Sequence, residues 1–310
     1  MKTGKTVETG ETFLVTTEEI MALALEMSGY LRIPEDSGIF VPGKGIRKVL
    51  FGLDVSTAEL QLAKTMGADL VIAHHPPATA VEVWKIFLRH VEFMTAAGVP
   101  EDAALAAVAE KVEGLKLRGQ AANYDHVPSA ARLLGMPFMN IHAPLDELGR
   151  RRMREQVDTA LAPYQPASST GATQKGSAPV GAGLAAGHAT AGDVVETLRA
   201  LPEMRAAPTT VQLVMGNAGD PVRKVAVAHG AYTNGGYPVA HTCFTHGVDL
   251  VVYIHIDFGE LQRLRAEGRG NLIVTGHLAG DSLGFTPFLR ELRRRGLEVT
   301  TFSGVIEPAE

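Results

Sequence analysis

Apolar and polar positions along this chain switch repeatedly between a period of about 3.6 and a period of about two, the alternation expected of helices and strands in α/β layers. Thr16 and Glu19 have capping-box spacing and open a helix over EEIMALALEM (18–27). RKVLFGL (47–53) reads as a strand. Ser56 and Glu59 form a second box ahead of TAELQLAKTM (57–66), which Gly67 ends. ADLVIA (68–73) is apolar throughout, as a strand covered on both faces must be. Residues 81–96 and 101–113 predict two helices, a helical excursion before the sheet resumes. A short helix at VPSAARLLG (127–135) and a strand at MPFMNI (136–141) follow, then a helix over 147–161 whose Arg150, Arg151 and Arg152 read as a solvated face.

The stretch PYQPASSTGATQKGSAP (163–179) is rich in Pro, Ser, Thr and Gly and reads as a linker or mobile loop. Beyond it the alternation returns. Strands are predicted at VGAGLAA (180–186), TTVQLVM (209–215), RKVAVA (223–228), VDLVVYI (248–254), NLIVTG (271–276) and LEVTTF (297–302). Helices are predicted at AGDVVETLRAL (191–201), after the NGGYP turn to about Thr245, at FGELQRLRAEG (258–268) and at DSLGFTPFLRELRRR (281–295). Pro287 fits the first turn of that last helix. RKVLFGL resembles RKVAVAH, and GADLVIAHH (67–75) aligns without gaps on GVDLVVYIH (247–255). Two strand–helix–strand units of one kind predict two similar α/β lobes: residues 1–162 with a helical insertion at 81–135, the linker at 163–179, and residues 180–310.

Composition narrows the function classes. With 29 Lys and Arg against 34 Asp and Glu, the net charge is −5, which disfavours nucleic acid as the main partner. A single cysteine, Cys243, excludes an internal disulfide and any CxxC site, and its isolation reads as a buried small hydrophobe. No apolar run approaches the ~18 residues of a membrane span, and the N-terminus has no signal-peptide pattern. The expectation is a soluble, cytoplasmic protein. GAGLAAG (181–187) matches neither a dinucleotide nor a P-loop pattern, no G-x-S-x-G elbow is present, and Trp84 reads as core.

The chemistry concentrates at strand ends. Five predicted strands run out onto histidine: His74 and His75, His142, His229, His255 and His277, from a total of 11 histidines. Ligands of open α/β sheets bind at the carboxyl ends of strands. Pro76 and Pro77 stop the first of these strands, so both tandem rings can turn toward the loop side. His142 and Asp146 are four apart, as are His277 and Asp281, a spacing that places each pair on one helical face. His255 and Asp257 are two apart. Histidines and carboxylates without thiolates suit Zn, Mn or Fe, with room for two ions. His90, His126, His188, His241 and His246 lack this context and read as structural or exposed.

GADLVIAHHPP resembles the "ADLIIxHHP" signature of the Nif-three-like (NGG-one-interacting-factor-three-like) family, also catalogued as GTP cyclohydrolase type 2 homologues. HAPLD (142–146) resembles its "HTNLD", GHLAGD (276–281) its "GHYATE", and RKVAVAHGAYTNGG its "KVAVCGGAG". The matches occur in the family's order over most of the chain. The resemblance implies a dinuclear metal site in a cleft between two α/β lobes, and assembly into a hexameric ring. Carried over, the metal ligands would be His74, His75, Asp146, His277 and Asp281. Three departures stand out: Asp281 replaces a bridging-type Glu, the 81–135 stretch is larger than usual, and His229 stands where a small residue is usual. The expected function is a metal-dependent hydrolase acting on a small molecule, with His229 and His255 as proton-carrying catalytic groups and one or two divalent ions per subunit. The resemblance extends this to a nucleotide-related substrate through the GTP cyclohydrolase label, although no guanine-reading motif accompanies it. The competing expectation is a non-catalytic metal-binding ring with a regulatory or protein-interaction role.

Overall fold

The computed structural model describes residues 15–77, 81–164 and 187–309. The first half runs β1 (Val15–Thr16), α1 (Thr17–Ser28), β2 (Gly38–Val41), β3 (Lys44–Ile46), β4 (Lys48–Gly52), α2 (Thr57–Met66), β5 (Leu70–Ala73), α3 (Trp84–Phe87), α4 (Arg89–Ala96), α5 (Glu101–Ala121), α6 (His126–Leu134), β6 (Phe138–Asn140) and α7 (Ala143–Leu161). The second half runs α8 (Ala191–Arg199), α9 (Pro202–Ala206), β7 (Gln212–Met215), β8 (Val225–Val227), α10 (Gly236–Thr245), β9 (Leu250–Tyr253), α11 (Phe258–Glu267), β10 (Asn271–Val274), α12 (His277–Arg294) and β11 (Glu298–Phe302). Both predicted capping boxes form, at Thr16–Glu19 and Ser56–Glu59. The linker stretch beyond Tyr164 and the strand expected over 180–186 lie outside the described residues. No helix among the described residues is long and apolar enough to cross a membrane.

The strands form two main sheets, ordered β11-β4-β5-β6-β2 and β7-β10-β9-β8. Each is parallel except for one antiparallel edge strand, β2 in the first and β7 in the second. Helices cover both faces of both sheets, as parallel strands with apolar residues on each side require. Phe51, Ile72 and Met139 on one face of the first sheet pack with Ile20 of α1, Leu145 of α7 and Phe285 and Phe288 of α12. Leu50, Val71 and Phe138 on its other face meet Leu60 of α2 and Ala131 of α6. In the second sheet, Val225, Leu250 and Ile273 meet Met153 and Val157 of α7, Val194 of α8 and Leu283 of α12. Its outer face, with Ala226, Val251 and Tyr253, meets Phe93 of α4, Val108 of α5, Val239 of α10 and Leu264 of α11. Thus α7 and α12 lie between the two sheets and serve both cores.

The lobes exchange elements, which the linear division of the sequence does not anticipate. β11 pairs in parallel with β4, returning residues 298–302 to the first sheet. Within the 81–135 stretch, α4 and α5 cover the second sheet while α6 stays under the first. The internal repeat is visible atom by atom. Asp69 accepts the Arg47 and Lys48 amides through Oδ2, both at 2.9 Å. Asp249 accepts the Arg223 and Lys224 amides through Oδ2 at 2.8 and 2.9 Å. This correspondence makes His255 the counterpart of His75.

The two central helices differ from the sequence reading. Each starts four residues earlier than expected, α7 at Ala143 rather than 147 and α12 at His277 rather than 281. Pro287 therefore sits in the interior of α12, not in its first turn. A proline there leaves the carbonyl four residues back without its helical donor. That carbonyl belongs to Leu283, and Arg152 Nη1 donates to it at 2.8 Å while also pairing with Glu203. Arg150 and Arg151 both pair with Glu147. The arginine run is thus tied into the fold rather than forming a freely solvated face.

Candidate metal centre

The site is assembled from the ends of strands in both sheets and the first turns of α7 and α12. β5 ends at Ala73 and delivers His74 and His75. β6 ends at Asn140 and leads to His142, the residue that precedes α7, with Asp146 in that helix's first turn. From the second sheet, β8 leads to His229, β9 to His255, and β10 to His277, the first residue of α12. One cavity of about 340 Å³ is lined by His75, His142, Asp146, His229, His255, His277 and Asp281, and His74 is fully buried behind it.

Three imidazoles share one orientation logic. His74 donates from Nδ1 to the Ile141 carbonyl at 3.1 Å, His75 Nδ1 is 2.7 Å from Asp54 Oδ1, and His142 Nδ1 is 2.7 Å from Asp36 Oδ2. In the neutral ring each such bond places the proton on Nδ1 and leaves a lone pair on Nε2, the arrangement that orients metal-binding histidines. The Nε2 atoms meet the carboxylates. His74 Nε2 is 3.2 Å from Asp146 Oδ1 and 3.8 Å from Asp281 Oδ2. His75 Nε2 and His277 Nε2 approach Asp281 Oδ2 at 3.7 and 3.1 Å. His142 Nε2 lies 3.8 Å from Asp146 Oδ2, and His229 Nε2 lies 3.7 Å from Asp146 Oδ1.

Donor atoms of His74, His75 and His142 lie within 4.8 Å of one another, as do those of His75, His277 and Asp281, and those of His74, Asp146 and Asp281. Asp281 belongs to two of these three groups. Among the described residues, His74 Nε2, Asp146 Oδ1, His229 Nε2 and Asp281 Oδ2 are buried without a hydrogen-bond partner. Buried polar atoms are costly when unpaired. Four of them converging, all from imidazole and carboxylate, fit a divalent cation.

The electrostatics agree. Burial works against ionised carboxylates, yet facing imidazoles hold Asp146 and Asp281 well below the ordinary carboxylate range: His142 and His229 for Asp146, His277 and His75 for Asp281. Burial lowers the His74 pKa. It also opposes protonation of His142, but Asp146 and Asp36 outweigh it and raise that ring to about 9. The centre is therefore a place where carboxylates demand positive charge.

All five residues of the expected ligand set, His74, His75, Asp146, His277 and Asp281, come together here. His142 joins them as a donor, beyond the ligand set that the resemblance implied. His229 is buried beside both carboxylates. His255 stands at the mouth, its ring 5.1 Å from that of His277. Asp281 does not cap a helix, because α12 starts four residues before it. Asp257, paired with His255 by spacing, instead caps α11 by accepting the Gly259 and Glu260 amides. Asp36 and Asp54 escaped the sequence reading: they sit in loops remote in sequence from the rings they hold, and no spacing announces them. Of the other histidines, His126, His188 and His246 are exposed, His241 pairs with Glu267, and His90 is buried with Nε2 2.9 Å from the Thr233 carbonyl.

A sequence model of the Duf34/NIF3 (NGG1p interacting factor 3) family matches residues 30–82, the stretch that carries the tandem histidines. The crystal structure of a NIF3 superfamily protein from Sphaerobacter thermophilus is 42% identical, with 94% of this chain and 98% of that chain covered and a TM-score of 0.85. The chain belongs to the NIF3 superfamily. Reduced HcgD from Methanocaldococcus jannaschii, 15% identical over 93% of this chain and 98% of its own, shares the fold at a TM-score of 0.51. No functionally curated protein matches this NIF3 superfamily sequence.

Proposed function

We propose that the protein is a metal-dependent hydrolase of a small molecule, holding one or two divalent ions (Zn, Mn or Fe) through His74, His75, His142, Asp146, His277 and Asp281. The observation that carries this reading is the convergence of unpartnered imidazole and carboxylate atoms on a solvent-accessible cavity. Divalent cations in such a cleft supply Lewis acidity and make water a better nucleophile near neutral pH. The chain's own groups supply proton transfer. Asn234 accepts the Gly236 amide through Oδ1, which fixes its side-chain amide so that Nδ2 donates to His255 Nδ1 at 3.0 Å. Neutral His255 then carries its proton on Nε2. Burial, and after it the neighbouring His277, lower its pKa and favour this neutral form, whose Nε2 proton can hydrogen-bond a substrate oxygen. His229, deeper and beside both carboxylates, is placed to accept one.

The deciding measurement is metal content per subunit in protein purified without chelator or added metal, followed by hydrolysis assays on ester, amide and phosphoester panels. A content of one or two per subunit with turnover lost on chelation is expected. Content near zero refutes the reading, and a readily lost metal with no turnover on any panel favours the non-catalytic ring. We place the protein in the cytoplasm, in line with its single, buried cysteine. We further propose a homo-oligomer, a hexamer by family resemblance; Leu31, Leu133 and Phe258 are exposed apolar side chains. Light scattering that gives a monomer at micromolar concentration refutes it.

A further inference from the structure

The cavity has a second wall of different chemistry. Lys111, Leu115 and Arg118 of α5 line it together with the histidines. Their spacing of four and then three residues puts them on one stripe of the helix. Leu115 is buried and anchors that stripe, while Lys111 and Arg118 are exposed. Nearby cations are engaged in ion pairs: Arg89, Arg150 and Arg151 share the Glu147 carboxylate, and Arg152 pairs with Glu203. Lys111 and Arg118 form no ion pair among the described residues. Two uncompensated cations facing one cavity, on a chain of net charge −5, form a local reversal of field.

The facing segment is rigidly presented. Arg89 donates to the Gly230 carbonyl, and His90 lies 2.9 Å from the Thr233 carbonyl, so α4 holds the 230–233 turn from behind. Between these contacts Tyr232 is kept at a φ of 70°, a conformation rarely adopted by a non-glycine residue and one that tends to cluster at ligand sites. Its ring lies 6.0 Å from that of His142 and also lines the cavity. Arg118 and Tyr232 line the same cavity.

We propose that Lys111 and Arg118 form an oxyanion subsite at the mouth of the metal cleft, and that the substrate carries a phosphate or carboxylate group there, apart from the bond at the metal donors. The assignment of the other end of the molecule rests on the hydrolase reading; the subsite does not. A cavity of 340 Å³ is at the small end of ligand sites, so one compact molecule must span both walls.

The test uses the full-length protein loaded with Mn, its metal content measured first, and two probes: inorganic phosphate and succinate. Calorimetric titrations compare wild type with Lys111→Gln, Arg118→Gln and the double variant. Each single variant should bind the preferred probe several-fold more weakly and the double variant at least about tenfold more weakly, with metal content and melting temperature unchanged. The salt dependence of wild-type binding should also flatten in the double variant. Which probe binds more tightly identifies phosphate or carboxylate as the group. Equal affinity in wild type and double variant, or no binding of either probe to wild type, overturns the subsite. If wild type takes up no metal, the hydrolase reading fails, and the same titrations on that metal-free protein still decide the subsite by the same comparison.

Discussion

Gly284 offers a severe test of how the metal centre is built. It lies on α12 one turn after Asp281, where α12 crosses α7. A Cβ at this position would stand 1.9 Å from the Leu145 carbonyl oxygen and 2.7 Å from its carbon, while one at Gly149 on α7 would stand 3.1 Å from the Gly280 carbonyl oxygen. Real Cβ atoms essentially never approach closer than 3.0 Å, so Gly284→Ala must part the helices by at least about 1.1 Å, from 1.9 to 3.0 Å. The atom struck is backbone, so no side-chain rotation relieves it. Leu145 immediately precedes Asp146, and the separation would draw apart the two carboxylates that now meet His74 Nε2 at 3.2 and 3.8 Å. Metal sites tolerate errors of roughly 0.2 Å in ligand distance. The expected outcome is an overpacking cost of about 1–3 kcal/mol with loss of most bound metal. Melting temperature and metal content per subunit are the measurements. Gly114→Ala on α5, where a Cβ meets nothing within 4 Å, is the control and should gain roughly 0.5–1 kcal/mol from helix propensity. A Gly284→Ala protein with wild-type melting temperature and full metal refutes the close-crossing argument.

Other consequences are equally concrete. Asp36→Asn, which replaces the charged acceptor at His142 Nδ1 by a neutral amide, should weaken metal binding by about 10–100-fold in competition titrations; unchanged affinity would remove His142 from the centre. Asp281→Asn should lose metal, and Asp281→Glu should tighten the weaker of two unequal sites, since the longer stem reaches farther; two equal tight sites in wild type would defeat that inequality. Burial lowers the His90 pKa from 6.5 to about 4, so the unfolded chain takes up this proton first. The stability that neutral His90 preserves is complete above about pH 6.5 and is lost as pH falls toward 4, by about 3 kcal/mol. Denaturant titrations across that range should show a shallower pH slope for His90→Gln, and an identical slope would count against the assignment.

The sequence alone carried the local half of this protein. Capping boxes, apolar runs and the tandem Asp-containing repeat are encoded by neighbours within a turn or a strand. Both boxes and both βαβ units accordingly form where the spacing put them. The strand-end histidines were legible for the same reason: a parallel sheet delivers the residues just past its strands to one edge, so the histidines of each sheet share an edge, while the meeting of the two edges is a tertiary matter. What the sequence could not show depends on partners far along the chain. Asp36 orients His142 from 106 residues away, and Asp54 orients His75 from the end of a neighbouring strand. Arg152 supplies the donor that lets Pro287 lie inside α12. The return of β11 to the first sheet and the placement of α4 and α5 on the second follow from which faces remained uncovered, a property of the assembled layers and not of any segment. Periodicity fixes which side of an element is apolar; only the tertiary structure decides which neighbour buries it, and that choice set the second wall of the cleft.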